Sequence, residues 1–329
     1  MKRLLLLICT LLCANVLFAQ EQLAVLRHND STSVFYGSSA FEQAYTAATH
    51  GDIITLSDGI FSTPNSVSKG ITVRGNGAVA DTARHSTGTY FMETFYLRDL
   101  GDSLHFEAEG ICFGSNFRAQ SSHDIKLTRC YIHKSEQVDG LQATNCVYRG
   151  DVWGSETHNN IYINCILRSG TSTSASTLPY NAICNNCIIL GKDDLTSSGS
   201  SPIYQYNNCI VIKNGSSNYN ILRSSVNNNV LIGFTGTDSP ASSGNVVMSL
   251  SDVFENWDGE SLPTDLETYV LKSSVSDSIQ GLDGTEVGIF GGFMPFEWRP
   301  SYSIIKRFNV ANRTTADGKL SVDIEVISE

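Results

Sequence analysis

A short phrase recurs through the middle of the chain and limits the possible folds more than any other feature. Its cysteine position advances by 16, 19, 22, 22 and 20 residues, with asparagine replacing cysteine in the last copy. The six copies are Thr128-Arg129-Cys130-Tyr131, Thr144-Asn145-Cys146-Val147, Ile163-Asn164-Cys165-Ile166, Asn185-Asn186-Cys187-Ile188, Asn207-Asn208-Cys209-Ile210 and Asn227-Asn228-Asn229-Val230. A strand-like phrase repeated about every 20 residues predicts a solenoid, in which each coil buries its apolar face only by stacking on its neighbours.

Two core-facing positions, two residues apart, are expected in each coil because side chains alternate along a strand. The first predicted series is Ile54, Ile71, Ile111, Cys130, Cys146, Cys165, Cys187, Cys209 and Asn229. The second is Leu56, Val73, Phe113, Ile132, Tyr148, Leu167, Ile189, Val211 and Leu231. One more coil fits around residues 90–92, and the last coil is predicted near 270–292. The pattern favours an all-β fold in which like residues stack on like.

The cysteines are predicted to be free thiols in this core. Equivalent residues on adjacent coils lie about 4.8 Å apart with parallel side chains, whereas a disulfide needs converging β-carbons about 3.8 Å apart. Cys184 and Cys187 form a C-x-x-C pair, but no second pair or nearby histidine completes a zinc site. The sequence therefore predicts no metal site. Calcium stays open as a cofactor, although no calcium-loop spacing is visible.

The residue before each cysteine is predicted to sit where the strand turns. Asparagine tolerates the left-handed backbone of such corners, and the amides are expected to hydrogen-bond from coil to coil. A row of sugar-binding amides is the functional alternative. The members are Asn145, Asn164, Asn186, Asn208 and Asn228.

An apolar residue follows each cysteine position, where a strand should point outward. The six residues are Tyr131, Val147, Ile166, Ile188, Ile210 and Val230, and they would form a stripe about 24 Å long. Monomers seldom leave such a stripe exposed. We expect a segment after about Asp252 to cover it within one chain, which predicts a monomer; a second chain on the stripe is the alternative.

The two ends of the chain carry their own signals. Residues 1–19 have the charged start, apolar run and small-residue end of a secretory signal peptide. The capping box Ser39–Glu42 predicts a short helix that covers the first coil. Residues 20–300 would form the capped solenoid. Residues 301–329 would form a small β extension of two strands, Ile304 to Val310 and Leu320 to Val326.

Charge argues against two classes of partner. The net charge is −11 with only 17% charged residues, so neither nucleic acid nor an anionic membrane is an expected partner. No segment after the leader is apolar for long enough to span a membrane. The Ser-, Thr-, Asn- and Gly-rich composition suits solenoid turns, and also a surface that faces sugar hydroxyls.

Several segments together resemble right-handed parallel β-helix proteins of the pectin-lyase-like superfamily. The segment 39–61 is similar to the capped first coil of that group and 70–77 to its second coil. The segment 283–296 is similar to the closing coil of secreted β-helix proteins of Bacteroidetes-type bacteria. The resemblance implies a right-handed coil and a secreted, periplasmic or cell-surface location in a bacterium. The superfamily's polygalacturonase and pectate lyase motifs are absent from this sequence, so the resemblance does not choose a chemistry.

Chemistry-bearing residues cluster on the loops beside the middle coils. A lyase acting on uronic acids needs a base and a positive charge near the carboxylate, and a glycoside hydrolase needs two carboxyl groups. The candidate groove residues are Arg149, Asp151, Trp153, His158, Arg168, Lys192, Asp193 and Asp194. The sequence favours a secreted, non-catalytic module that engages polysaccharide. A polysaccharide lyase or glycoside hydrolase acting in a lateral groove is the alternative.

Overall fold

The computed structural model describes residues 22–327 apart from 84–85, 102, 137, 151, 154–158, 169–181, 193–204, 215–224, 235–243, 257–268, 301–303, 311–317 and 320–321. The described chain forms a parallel β-solenoid of about seven turns, which confirms the predicted all-β coil. Each coil contributes one strand to sheet A and one to sheet B. The predicted signal peptide lies outside the described residues.

The strands of sheet A are, in spatial order, β2 (Ser31–Tyr36), β1 (Leu23–His28), β3 (Ile53–Leu56), β5 (Thr72–Arg74), β8 (Phe106–Glu109), β10 (Ile125–Thr128), β12 (Leu141–Thr144), β15 (Ile161–Ile163), β17 (Ile183–Asn185), β19 (Gln205–Asn207) and β21 (Ser225–Asn227). Sheet B contains β4 (Gly59–Ile60), β6 (Thr89–Phe91), β9 (Cys112–Gln120), β11 (Tyr131–Glu136), β13 (Val147–Tyr148), β16 (Ile166–Arg168), β18 (Ile188–Lys192), β20 (Ile210–Asn214), β22 (Val230–Ile232) and β23 (Val246–Met248), with β7 (Phe95–Arg98) and β14 (Val152–Trp153) beside it. Strands β24 (Ile304–Val310) and β25 (Val322–Ile327) form a separate antiparallel pair.

A hairpin and a helix cover the first coil. Strand β1 pairs antiparallel with both β2 and β3, a hairpin that we did not predict from the sequence. Helix α1 (Ala40–Ala47) buries Phe41 and Ala44 against the core, as predicted. The predicted capping box is wrong, because Ser39 makes no cap hydrogen bond with its side chain; its Oγ instead accepts from Gln43 Nε2 at 2.9 Å.

The cysteines form the predicted internal column. Each backbone N–H donates to the sulfur one coil further on: Cys130 to Cys146 at 3.4 Å, Cys146 to Cys165 at 3.4 Å, Cys165 to Cys187 at 3.5 Å and Cys187 to Cys209 at 3.4 Å. Asn229 ends the row, its Oδ1 accepting from Cys209 N at 2.7 Å. All seven described cysteines are free and buried. The cysteine side chains therefore pack in the core, and their sulfur atoms accept hydrogen bonds from the backbone of the preceding coil.

The predicted alignment of the first coils is partly wrong. Ile54 pairs with Val73, and Val73 pairs with Ala108, all in sheet A. Ile111 instead leads into sheet B, where the next position, Cys112, pairs with Tyr131. Alternation has the same period on both sheets, so the sequence could not say to which sheet a buried pair belongs. The coil predicted at 90–92 is present as β6.

The corner asparagines adopt the predicted left-handed backbone but not the predicted ladder. Arg129, Asn145, Asn164, Asn186, Asn208 and Asn228 have φ between 49° and 56°. The coil-to-coil amide ladder lies one position earlier, with Asn227 Nδ2 donating to Asn207 Oδ1 at 3.2 Å and Asn207 Nδ2 to Asn185 Oδ1 at 2.9 Å. Burial of Asn145 and Asn164 at 1% and 0% exposure rules out a row of sugar-binding amides at these corners.

The apolar stripe is covered within the chain, as predicted. Val147, Ile166 and Ile188 belong to a second buried cluster beneath the segment after Leu250. This segment includes helices α2 (Leu250–Val253) and α3 (Ser273–Ser276). Residues 270–292 were predicted to form a last coil, and this is wrong: they lie across the outside of sheet B, where Val275, Val287 and Ile289 pack on the stripe.

We call residues 281–300 the strap, because they run back along the corner from the late coils to the early ones. Leu282 N donates to Asn208 Oδ1 at 2.9 Å. Asn164 Nδ2 donates to the carbonyls of Ile289 and Gly291, both at 2.7 Å. A Cβ on Gly291 would lie 1.7 Å from Glu286 O, so only glycine fits there. The corner amides thus bind the strap that covers the stripe.

We predict that the seven described thiols react with an alkylating reagent only after unfolding, because they are buried. Burial raises the pKa of Cys112 to about 12 and that of Cys130 well above the ordinary 9.0. The unfolded thiols ionise first as pH rises, so the free energy of unfolding should fall above pH 9.0. Mass spectrometry of native and denatured samples, alkylated without reductant, checks the predicted difference in thiol reactivity. Disulfides or fast native labelling would contradict it.

Substitution of Asn164 tests how much its hydrogen bonds to the strap carbonyls contribute to stability. Asn164→Gly keeps the left-handed backbone and loses the amide, so it should cost about 1–3 kcal/mol by leaving buried carbonyls unpaired. Asn164→Ala should cost about 1 kcal/mol more, since alanine disfavours this backbone. Urea denaturation measures both. Asn29→Gly is the matched control, at φ 50° in an exposed turn away from the strap, and should change little. Equal stability of all three variants and wild type would contradict the proposed contact.

Candidate functional site

Sheet B bends on its early coils and forms a third face beyond the bend. Strand β9 pairs with β6 in its first half and with β7 in its second half. The register between β9 and β11 shifts between Ile132 and Lys134, which marks the bend. Beyond it the strands lie in the order β7, β9, β11, β14. The residues predicted for the groove follow this bend on the next coils.

Along the strands of the third face, buried residues alternate with residues at the outward position. Phe95, Phe117, Ser135 and Val152 share one register position and are buried. The neighbouring position is outward at Tyr96 and Arg118, and its register continues through the backbone of Glu136 and Trp153 on the next two coils. The face therefore presents aromatic and charged residue types in one row along the solenoid axis.

Tyr96 organises the described part of this row. The guanidinium carbons of Arg118 and Arg98 lie 5.5 Å and 5.7 Å from the centre of its ring, within the range of cation–π attraction. Its hydroxyl donates to Gln120 Oε1. Arg98 also approaches Asp99, with Nε 3.7 Å from Oδ2, but both side chains are more than half exposed, so this ion pair is weak. The arginines are held against an aromatic surface while they face solvent.

A second row of cations runs along sheet B just before the bend. Tyr148 pairs with Ile132 and with Leu167 on either side, so the next residues, His133, Arg149 and Arg168, share one position on three successive coils. His133 and Arg149 are exposed and Arg168 is half-buried. Lys134 pairs with Asn116 beside them. Coils stack about 4.8 Å apart, which sets the spacing of the row.

We call the basic and aromatic residues with described side chains, in these two rows and directly beside them, the basic bend surface: Tyr96, Arg98, Arg118, His133, Lys134, Arg149 and Arg168. It holds five of the 22 Lys and Arg residues of a chain with net charge −11. A local excess of positive charge on an acidic protein attracts anions to that place. Arginine is suited to planar anions because its guanidinium can donate two parallel hydrogen bonds to a carboxylate or sulfate.

The structure brings together only part of the predicted groove set. Arg149 and Arg168 occupy the same position on adjacent coils, and the backbone of Trp153 lies on the third face beside them. The backbone of Lys192 is at the end of β18, two positions beyond Leu190, which pairs with Arg168. Asp151, His158, Asp193 and Asp194 lie outside the described residues.

Sequence reasoning missed Tyr96, Arg98, Arg118 and Gln120. Residues 95–98 and 117–120 both alternate an apolar residue with an outward Tyr, Arg or Gln, and they are 22 residues apart. This spacing equals two of the five steps between successive cysteine positions, so the signal was present. It was overlooked because the first coils lack the cysteine phrase that aligns the later ones.

Imidazole–carboxylate pairs lie elsewhere, on the corner before sheet A. His105 Nδ1 lies 3.1 Å from Asp124 Oδ1, and His123 Nδ1 lies 3.2 Å from Asp139 Oδ2. In the part of the chain that the structure describes, no three His, Cys, Asp or Glu side chains converge as metal ligands. Cys184 and Cys187 are both buried in the core, and burial raises the pKa of each thiol, which opposes the thiolate that metal or redox chemistry needs.

Comparison with known proteins gives no match that indicates a function, so the functional proposal is argued from the site. No protein-family model, curated protein or solved structure matches the chain. Among the described residues, no helix has the length and apolar character needed to cross a bilayer.

Proposed function

We propose that this protein is a secreted, non-catalytic module that binds acidic polysaccharide on the basic bend surface. The observation that carries the proposal is the concentration of Arg and Lys on one bend of an acidic chain. Carboxylates of uronic acids, or sulfate groups, are the anions that arginine pairs bind best. Tyr96 holds the guanidinium groups of Arg98 and Arg118 on this surface by cation–π attraction.

The direction of the two rows suits a polymer. The row of His133, Arg149 and Arg168 places its side chains one coil apart along the solenoid axis, so a chain of acidic sugars lying along the axis would meet these three side chains in succession. Such contacts are individually weak when exposed and become useful through their number. Binding should therefore weaken as salt rises, since exposed charges are screened over about 10 Å at 0.1 M ionic strength.

A secreted location and membership of the pectin-lyase-like superfamily belong to the same proposal. The leader-like residues 1–19 support export to the periplasm or cell surface of a bacterium. The parallel solenoid and the first-coil resemblance support the superfamily. We infer a right-handed coil, because parallel crossover connections are right-handed in nearly every known case.

A polysaccharide lyase is the second candidate, and one observation favours it. His133 lies beside Arg149, one coil away, and the backbone N–H of Arg149 donates to Ile132 O at 2.9 Å. An imidazole that removes a proton next to a guanidinium that neutralises a uronate carboxylate is the pair that such a reaction needs. Both candidates use the same surface, so one set of variants tests both.

We predict that the double variant Arg118→Ala/Arg149→Ala loses affinity for polygalacturonate and for heparin by roughly tenfold, since each exposed charge contact contributes up to about 1 kcal/mol and about 1.4 kcal/mol is a factor of ten. Affinity gel electrophoresis and calorimetry measure this at low and high salt. Dextran, which is uncharged, should bind no better to wild type than to the variant.

Arg27→Ala is the matched control, because Arg27 is an exposed arginine on the hairpin away from the bend. It should keep wild-type affinity. Equal losses in control and double variant, or no binding of any acidic polymer by wild type, would overturn the proposal. Unsaturated product that forms with wild type and disappears with His133→Ala would replace it with the lyase.

A further inference from the structure

A cleft of about 450 Å³ lies beside the early coils, between the loop 76–82 and the end of the strap at 297–300. Its size falls within the range of small-molecule sites. Its lining includes Asn76, Asp81, Glu297, Trp298 and Arg299. These residues play no part in the proposed polysaccharide surface.

The loop wall of the cleft is fixed from below. Asp58, which is 7% exposed, accepts from Asn76 Nδ2 and Ser86 Oγ, both at 2.7 Å. It also accepts from the backbone N–H groups of Thr87 at 3.0 Å and Gly88 at 3.2 Å. A buried carboxylate with four donors holds the loop in one conformation.

The strap wall is fixed by contacts at its end. Arg299 Nε lies 3.2 Å from Asp81 Oδ2 across the cleft. A Cβ added to Gly110 would lie 3.0 Å from Pro300 Cγ, so Pro300 sits directly on the backbone of that coil. Two walls that are distant in sequence are thus held in place before any ligand arrives, which lowers the cost of ordering on binding.

The chemistry of the lining is that of a saccharide site. Trp298 is half-buried, and its ring meets Phe296 nearly edge to face at 5.0 Å between centroids, so its orientation is set. The Oε1 atom of Glu297 accepts from Arg299 N at 3.0 Å, which positions the carboxylate at the rim. An aromatic platform beside carboxylate acceptors and a guanidinium donor matches a ring with one apolar face and hydroxyls around its edge.

We infer that this cleft binds a neutral hexose unit of a glycan, as a second site that does not depend on the basic bend surface. Among the described residues that line the cleft, Asp81 and Glu297 against Arg299 leave one negative charge in excess. A uronic acid would therefore be repelled here, whereas hydroxyl groups can donate to the carboxylates. One site therefore selects acidic sugars and the other selects neutral sugars.

The test is titration of the full chain with neutral trisaccharides of glucose, mannose and galactose, and with trigalacturonate as the acidic comparator. Saturation-transfer NMR and calorimetry serve as readouts. At least one neutral trisaccharide should bind, with affinity insensitive to salt, and trigalacturonate should not compete. Trp298→Ala should reduce that affinity tenfold or more, and Trp298→Phe should retain part of it.

Glu297→Gln separates binding from folding, because Glu297 is exposed and its loss should leave the thermal midpoint unchanged. This variant should weaken the neutral sugar and reduce discrimination against trigalacturonate. Absence of binding by every neutral trisaccharide, or binding unchanged in both Trp298→Ala and Glu297→Gln, would overturn the inference. Arg118→Ala/Arg149→Ala should leave this site intact, so the two proposals fail separately.

Discussion

The left-handed residue at the corner between the two sheets is the constraint on which the rest of the structure depends. One residue per coil turns the chain there, at φ near 50° from Arg129 to Asn228. The next residue must then point inward, and the one after it outward. The corner therefore places the cysteines in the core, the apolar stripe on the outside and the amide side chains between them. Asparagine recurs because its side chain tolerates this backbone and can bind what lies across it.

The outward apolar stripe explains why the chain needs the strap. An outward apolar stripe must be covered, and the segment that covers it needs hydrogen bonds for its irregular backbone. The corner amides supply some of them, since Asn145 Nδ2 donates to Pro295 O at 3.2 Å and Asn164 binds two strap carbonyls. Glycine at 288 and 291 lets the strap approach closely. The last residues of the strap lie against the early coils and form one wall of the cleft that contains Trp298.

The sequence predicted the coil, the free thiols and the covered stripe because each depends on local alternation repeated many times. It could not predict that Ile54 pairs with Val73, since alternation does not identify the sheet. Nor could it predict that Asn164 binds Ile289 and Gly291, because that contact joins residues 125 and 127 positions apart. The groove was only partly foreseen. Arg149 and Arg168 are ordered by the cysteine phrase, whereas Tyr96 and Arg118 lie on coils without it.

The stacked corner can be tested most directly by the positions of the sulfur atoms in anomalous X-ray diffraction. Our account predicts five sulfur peaks in one nearly straight row, from Cys130 to Cys209, at a spacing of about 4.8 Å set by the coils. Pairing of these five sulfurs at about 2.05 Å, as in disulfides, or their placement far from one another would contradict it.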